Sequence, residues 1–264
     1  MEAIKIWLGT ELKTTIACQV LEFSIRRRTK NKVEFTRMIG SEWEYPIEGM
    51  RVGAGFSLRR WMIPKSTGWQ GKAIYLDADM QVFGDIEELW NKDQTTQHDP
   101  PPVIWCSFQS DKFNKEPWPQ TSAMLIDCAK ARGYNGFDID RVLELLRGAS
   151  DRDNYAKLMH AVWLGPYAAR IGDEWNHLNK FVPMGKPKHT RLIHYTSEPS
   201  QPHVKPEHPL AHLWQAELKL AIEAGAISRG DFEFGLSQWG KKEDWRPKNG
   251  LHPHYKKYLQ YFPK

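Results

Sequence analysis

Residues 71–90 read GKAIYLDADMQVFGDIEELW, and the way this stretch begins decides the fold class. Ala73-Ile74-Tyr75-Leu76 is an apolar run too short for a helix, with Gly71 before it and acids after it. That is the pattern of a buried strand. It ends in Asp77 and Asp79, with Ala78 between them. In open α/β sheets ligands bind in the crevice outside the carboxyl ends of the strands, so carboxylates delivered there are candidates to hold a divalent cation. The plainer alternative is a helix cap and a surface acid, because Asp-x-Asp arises often by chance. Downstream, Asp85 is placed to cap Ile86–Trp90, with Glu87 and Glu88 in the first turn, where negative charge is favoured.

Composition narrows the classes around this strand. The chain has 264 residues, 41% of them hydrophobic, enough for a sizeable core and too many for wholesale disorder. A formal charge of +5 is a mild excess spread along the chain. It excludes a strongly basic nucleic-acid binder and fits an anionic small substrate or an ordinary basic surface. Cys18, Cys106 and Cys128 are odd in number and contain no CxxC, which argues against a disulfide framework and for a reducing compartment. Met1 to Lys5 carry no basic segment followed by an apolar run, and nowhere do eighteen apolar residues follow one another. The expectation is a soluble, cytoplasmic protein.

Ile4–Leu8 reads as a first strand, Thr10-Glu11 as part of the turn, and Thr14 or Thr15 as the start of a helix with Ile16, Val20 and Phe23 on one face. That helix ends at Arg26-Arg27-Arg28, which either bind phosphate or complement the helix dipole, the second being the plainer reading. Val33–Met38 is a second strand, and the strand–helix–strand opening implies a parallel pair. FSLRRWMIP (residues 56–64) reads as a short helix stopped by Pro64, with one of Arg59 and Arg60 facing a cleft and the other water. Further strands are expected at Val103–Cys106, Ala123–Ile126 and Leu192–Tyr195. An amphipathic helix capped by Asp138 spans 139–148, and a last helix starts at Pro209 and stops at Gly225. The fold class is α/β: one domain over residues 1–225 with a mixed, mostly parallel central sheet flanked by helices. Residues 226–264 form a basic, aromatic segment that packs on it or touches a membrane surface.

His194 ends an apolar strand as Asp77 does. Alone it reads as a structural histidine; with the two carboxylates it completes a mixed oxygen–nitrogen set suited to Mn²⁺, Mg²⁺ being the alternative. Four segments in order then resemble the family 8 glycosyltransferases, the retaining group that includes glycogenin and lipopolysaccharide galactosyl- and glucosyltransferases. They are FSLRRWMIP, AIYLDADMQVFGDIEELW, GDEWNHLN and LIHYTSEPSQPH, and the resemblance they mark extends over most of residues 4–218.

The resemblance implies a GT-A (nucleotide-diphospho-sugar transferase) fold and transfer of a hexose from a UDP-sugar with retention. It implies Mn²⁺ held by Asp77, Asp79 and His194. Substrate-binding positions carried over are Thr10 and Glu11 at the base, Arg60 at the donor, and Asp77, Ala78, Ser122, Gln201 and His203. The family's catalytic acid–glutamine pair is echoed loosely by Asp153-Asn154. Departures are visible. Gln201 and His203 flank Pro202 where the family carries a pyrophosphate lysine and a tryptophan, leaving Lys188 or Lys205 as substitutes. Thr121-Ser122-Ala123 replaces an asparagine–small–glycine segment.

The acceptor is an unknown carbohydrate, lipid-linked or small molecule. Trp118, Trp163 and Trp175 are candidate platforms for it, with core as the plainer reading of each. Two other readings stay open: a non-catalytic fold that binds a sugar nucleotide, and a haloacid-dehalogenase-like phosphatase. The phosphatase is disfavoured because Gln81 stands where that class places Thr or Val.

Overall fold

The computed structural model describes residues 2–39, 58–95, 99–109, 117–134, 137, 161–178, 189–196, 201–202, 209–238 and 254–263. In chain order, β1 (Ile4–Gly9) leads through a 3-10 turn at Leu12–Thr14 into α1 (Thr15–Arg26) and then β2 (Val33–Arg37). A 3-10 segment, Arg59–Met62, runs into α2 (Ile63–Ser66), followed by β3 (Lys72–Asp77), β4 (Met80–Val82), α3 (Ile86–Trp90) and α4 (Lys92–Thr95). Then come β5 (Ile104–Gln109), β6 (Trp118–Asp127), α5 (Cys128–Ala131), β7 (Ala168–Arg170), β8 (His177–Leu178) and β9 (Leu192–His194). Two helices follow, α6 (Ala211–Glu223) and α7 (Arg229–Ser237), and a 3-10 segment at His254–Tyr261. The expected helix at 139–148 lies outside the described residues.

The chain divides into two compact units. The first comprises Met1–Gly9, Asn31–Asp77 and Ile86–Asn176. Its sheet has the order β2-β1-β3-β6-β5-β7. β1 pairs in parallel with β2 and β3, as the strand–helix–strand opening implies, and β5 pairs in parallel with β7. β6 runs antiparallel to both of its neighbours, so five of the six strands point one way. The apolar run of β3 is explained by burial on both faces: residues 73–77 are all buried, as expected for a central strand of a largely parallel sheet. One face packs on Leu58, Trp61 and Ile63 from the 3-10 segment and α2, and on Cys128 and Ala131 from α5.

Two expectations for residues 58–66 need correcting. Pro64 does not stop a helix; it occupies the first turn of α2, where its missing N–H would have had no intrahelical partner anyway. Arg59 does not face water. It is buried, and its guanidinium donates to the Met38 carbonyl just beyond β2.

The second unit comprises Thr10–Lys30, Ala78–Asp85 and His177–Lys264. A small sheet, β4-β9-β8, has antiparallel β4 and β9 with Met80 opposite His194 and Val82 opposite Leu192. Its core joins Ile16 and Val20 of α1, Ile193 and Tyr195, Trp214 and Leu218 of α6, and Phe232, Tyr258 and Phe262. α6 ends where expected: Gly225 takes φ +70°, the left-handed position that glycine fills without a Cβ penalty. At Gly84 a Cβ would meet Arg191 Cδ at 2.6 Å, so a larger residue there would require the Arg191 side chain to move. Cys18, Cys106 and Cys128 are all buried. Among the described residues no helix is long and apolar enough to cross a membrane.

Candidate functional site

Asp77 is the last residue of β3, opposite Gly9 of β1, and is 8% exposed. A carboxylate that buried needs compensation. Arg60 Nη2 supplies it at 3.1 Å from Oδ1 and 3.5 Å from Oδ2, and Tyr75 Oη donates to Oδ1 at 2.5 Å. Arg60 is itself held by a second bond, Nη1 to Thr121 Oγ1 at 3.0 Å, and lies 4.7 Å above the Tyr75 ring centroid. A planar guanidinium fork can make both bonds and stack at once, which an ammonium cannot.

Thr121 is available for this because β6 is irregular there. Its pairing with β5 jumps from Gln120 opposite Ser107 to Met124 opposite Cys106, leaving 121–123 outside the β5 ladder. Such irregularities re-aim side chains beside active sites. Ser122, in the same step, accepts from Asn176 Nδ2 at 3.0 Å, and Gln109 Nε2 donates to the Asn176 carbonyl at 2.6 Å. Asn176 is fully buried. Two segments noticed separately in the sequence, Thr121-Ser122-Ala123 and Trp175-Asn176, are therefore hydrogen-bonded to one another.

Asp79 follows in the turn before β4. Its carbonyl accepts from the Tyr195 N–H at 3.0 Å, extending the β4–β9 ladder by one residue. Its Oδ1 lies 3.2 Å from His194 Nε2, and Gln201 Nε2 donates to its Oδ2 at 2.6 Å. Asp77, Asp79 and His194 each offer one ligand atom, all within 4.8 Å of one another. Around an octahedral ion with bonds of about 2.1 Å, adjacent ligands stand about 3 Å apart and opposite ones about 4.2 Å. The 3.2 Å Asp79–His194 spacing matches the adjacent case. Two carboxylate oxygens with one imidazole nitrogen form a donor set that Mn²⁺ accepts more readily than Mg²⁺ does.

Of the other sequence candidates, Thr10 is fully buried with its hydroxyl 3.0 Å from Thr14 Oγ1, and Glu11 forms a capping box with Thr14. Both therefore have a local part in starting the helix that follows β1. Ala78 is buried. Trp175 is 1% exposed, a core residue and not a platform; Trp118 is half-buried. Asp153, Asn154, His203, Lys188, Lys205 and the Trp163 side chain lie outside the described residues. Sequence reasoning missed the part of Tyr75 and the link of Thr121 to Arg60. The first was read only as strand filling; the second is brought to Arg60 by the irregularity in β6, which has no local signature.

No family model matches the chain. A curated relative, Protein CDI of Arabidopsis thaliana, is 30% identical over 90 residues, which are 32% of this chain and 35% of that protein. The match thus spans about a third of the relative's length. Among solved structures, the WbbM bifunctional glycosyltransferase superposes with a TM-score of 0.60 at 14% identity, over 88% of this chain and 51% of that one. The glycosyltransferase GlyE of Streptococcus pneumoniae TIGR4 gives 0.59 at 13%, over 86% and 64%. The galactosyltransferase LgtC, solved in complex with donor and acceptor sugar analogs, gives 0.57 at 12%, over 85% and 100%. At these identities the likeness is one of fold: the chain has the α/β fold of the GT-A glycosyltransferases.

Proposed function

We propose that the chain is a divalent-cation-dependent, retaining glycosyltransferase of the family 8 kind that moves a hexose from a UDP-sugar to a carbohydrate, lipid-linked or small-molecule acceptor. The observation that carries the proposal is the Asp77, Asp79 and His194 set at the carboxyl end of β3, the edge where open α/β sheets bind ligands. Mn²⁺, with Mg²⁺ as the alternative, would be held by these three residues and would neutralise the pyrophosphate as it leaves.

The chain's own residues have separable tasks. Arg60 and Tyr75 fix the carboxylate of Asp77 in one orientation and place a permanent positive charge behind it. Gln201 orients Asp79. Ser122, tethered to the buried Asn176, presents a hydroxyl for the sugar. Thr10 and Glu11 follow β1 at the same sheet edge and are assigned to the base; Ala78 is assigned to the donor, and His203 to its phosphates. Asp153 and Asn154 are assigned to the reacting carbon.

A second reading rests on one observation. Gln201, which stands in the segment where the family carries its phosphate lysine, has its amide on Asp79. A chain that keeps the cation site without a phosphate lysine could bind a sugar nucleotide without turning it over. A donor screen that follows UDP release across UDP-glucose, UDP-galactose and related sugars, with and without Mn²⁺, separates the two. Mn²⁺-dependent release supports transfer. Mn²⁺-dependent UDP binding with no release on any acceptor supports the binding-only reading, and UDP release at full rate without metal refutes the mechanism.

A further inference from the structure

The second unit contains a buried polar network outside the site described above. Glu217, on α6, is 2% exposed and accepts from Arg28 Nη2 at 2.7 Å, Arg28 Nη1 at 3.0 Å and Arg27 Nε at 2.5 Å. Its third partner residue is not an arginine. Gln81, in the middle of β4 and 1% exposed, donates from Nε2 to Glu217 Oε2 at 3.2 Å and to the Leu213 carbonyl at 3.2 Å. Because both of those groups only accept, the orientation of the Gln81 amide is forced. Its Oε1 is thereby left to accept from Tyr195 Oη, at 2.9 Å.

Gln81 and Tyr195 each stand close to a proposed metal ligand in the chain. Gln81 is two residues after Asp79, and Tyr195 directly follows His194. In the antiparallel ladder Gln81 is opposite Ile193, so Gln81 and Tyr195 are diagonal neighbours on one face, while Met80 and His194 share the other. β4 and β9 are three residues each. Strands this short carry few ladder bonds, and a slip of one residue would turn every side chain to the opposite face. The residues of β4 and β9 are all buried, so alternating polarity does not set their register.

We propose that Gln81, fixed by Glu217 and clasping Tyr195, is a positioning residue that sets the register of β4 on β9 and so the approach of Asp79 to His194. The proposal rests on the reading of Asp77, Asp79 and His194 as a metal site. Two further bonds of β4 fit it. The Val82 N–H is taken by Ser24 Oγ of α1 at 3.1 Å, and the Phe83 N–H by the Arg191 carbonyl at 2.7 Å. β4 is thus bound on both sides, and Gln81 is the point at which its side chains are indexed against α6. Groups that orient metal ligands from behind typically change metal affinity by about 10- to 100-fold when removed.

The test is Mn²⁺ affinity, read from the electron paramagnetic resonance of free Mn²⁺ in titrations of the full chain without any sugar nucleotide. Tyr195→Phe removes one hydroxyl and keeps the ring; Gln81→Leu removes the amide. Arg28→Lys perturbs the same network at its far end and serves as the comparison for general destabilisation. Melting temperatures are measured for all three. The proposal expects Kd for Mn²⁺ to rise about tenfold in Tyr195→Phe and at least as much in Gln81→Leu, with Arg28→Lys within about twofold of wild type although it melts earlier. If Gln81→Leu does not fold, Tyr195→Phe decides alone. Unchanged affinity in a folded Tyr195→Phe overturns the positioning role while leaving the metal site standing. So does affinity that simply tracks melting temperature across all three variants. A wild-type chain that binds no Mn²⁺ overturns the site and the positioning role together.

Discussion

Replacing Glu217 by alanine is expected to lower the stability of the second unit more than any exposed substitution could. The carboxylate is 2% exposed, and its side-chain partners are Arg27, Arg28 and Gln81. Removing one partner of a buried ion pair generally costs about 3–5 kcal/mol, because the other charge is left uncompensated. The two arginines divide that cost unequally. Arg27 has 41% of its side chain exposed and can turn to water, whereas Arg28 has 16%, donates to the Ser24 carbonyl at 2.8 Å and lies over Phe83. The stranded charge is mainly that of Arg28, which puts the estimate at the lower end, about 3 kcal/mol. At about 2–4 °C per kcal/mol for chains of this size, the melting temperature should fall by about 6–12 °C. Arg27→Ala should cost under about 1 kcal/mol, the usual value for a pair that water can reach. Thermal unfolding followed by circular dichroism measures both.

The same network has a pH signature. Burial acts to raise the Glu217 pKa, but the hydrogen bonds and charges of Arg28 and Arg27 outweigh it and hold the group below its ordinary value. A depressed folded pKa gives stability that is fully present above the unfolded value of about 4.3 and is lost as pH falls through the folded one. The stability gap between wild type and Glu217→Gln should therefore be constant from pH 7 to about 5 and close below about pH 4. A Glu217→Ala shift under 2 °C, or a gap that does not change in acid, would refute the account of this network.

Two other outcomes follow from buried groups. Arg60→Lys keeps the charge but cannot bond Asp77 and Thr121 together while lying on Tyr75; UDP release should fall about tenfold or more, and an unchanged rate would remove Arg60 from the site. Burial raises the thiols of Cys106 to about 12 and Cys128 to about 11, and Cys18 is also fully buried. Iodoacetamide at pH 8 should label none of the three until the chain is unfolded, and rapid labelling of the native protein would contradict that packing.

The parts of the fold that could be read in the sequence are those with local causes. β3 is an apolar run between a glycine and acids, α1 and α6 carry helical periodicity, and Gly225 terminates α6; each appears within a residue or two of its expected bounds. β4, β7 and β8 were not legible, because two or three residues have no period to detect; β9 is as short, and only its apolar Leu192-Ile193 pair ahead of His194 marked it. Asp77, Asp79 and His194 could be picked out because each sits at or just past the end of an apolar strand, but their convergence within 4.8 Å depends on β9 pairing with β4 across more than a hundred residues. Arg26-Arg27-Arg28 looked like a cationic last turn for the same reason. The partner of Arg27 and Arg28, Glu217, lies on another helix, and nothing near residue 27 announces it. The Gln81–Tyr195 contact is hidden in the same way.

The central claim is that Asp79 and its partners hold a divalent cation on which nucleotide binding depends. Calorimetric titration of UDP into the full chain, with Mn²⁺ and with chelator, compares wild type with Asp79→Asn. The account predicts UDP binding to wild type that requires Mn²⁺ and is lost in the folded variant. UDP binding of equal affinity with chelator present, or undiminished in Asp79→Asn, would contradict it.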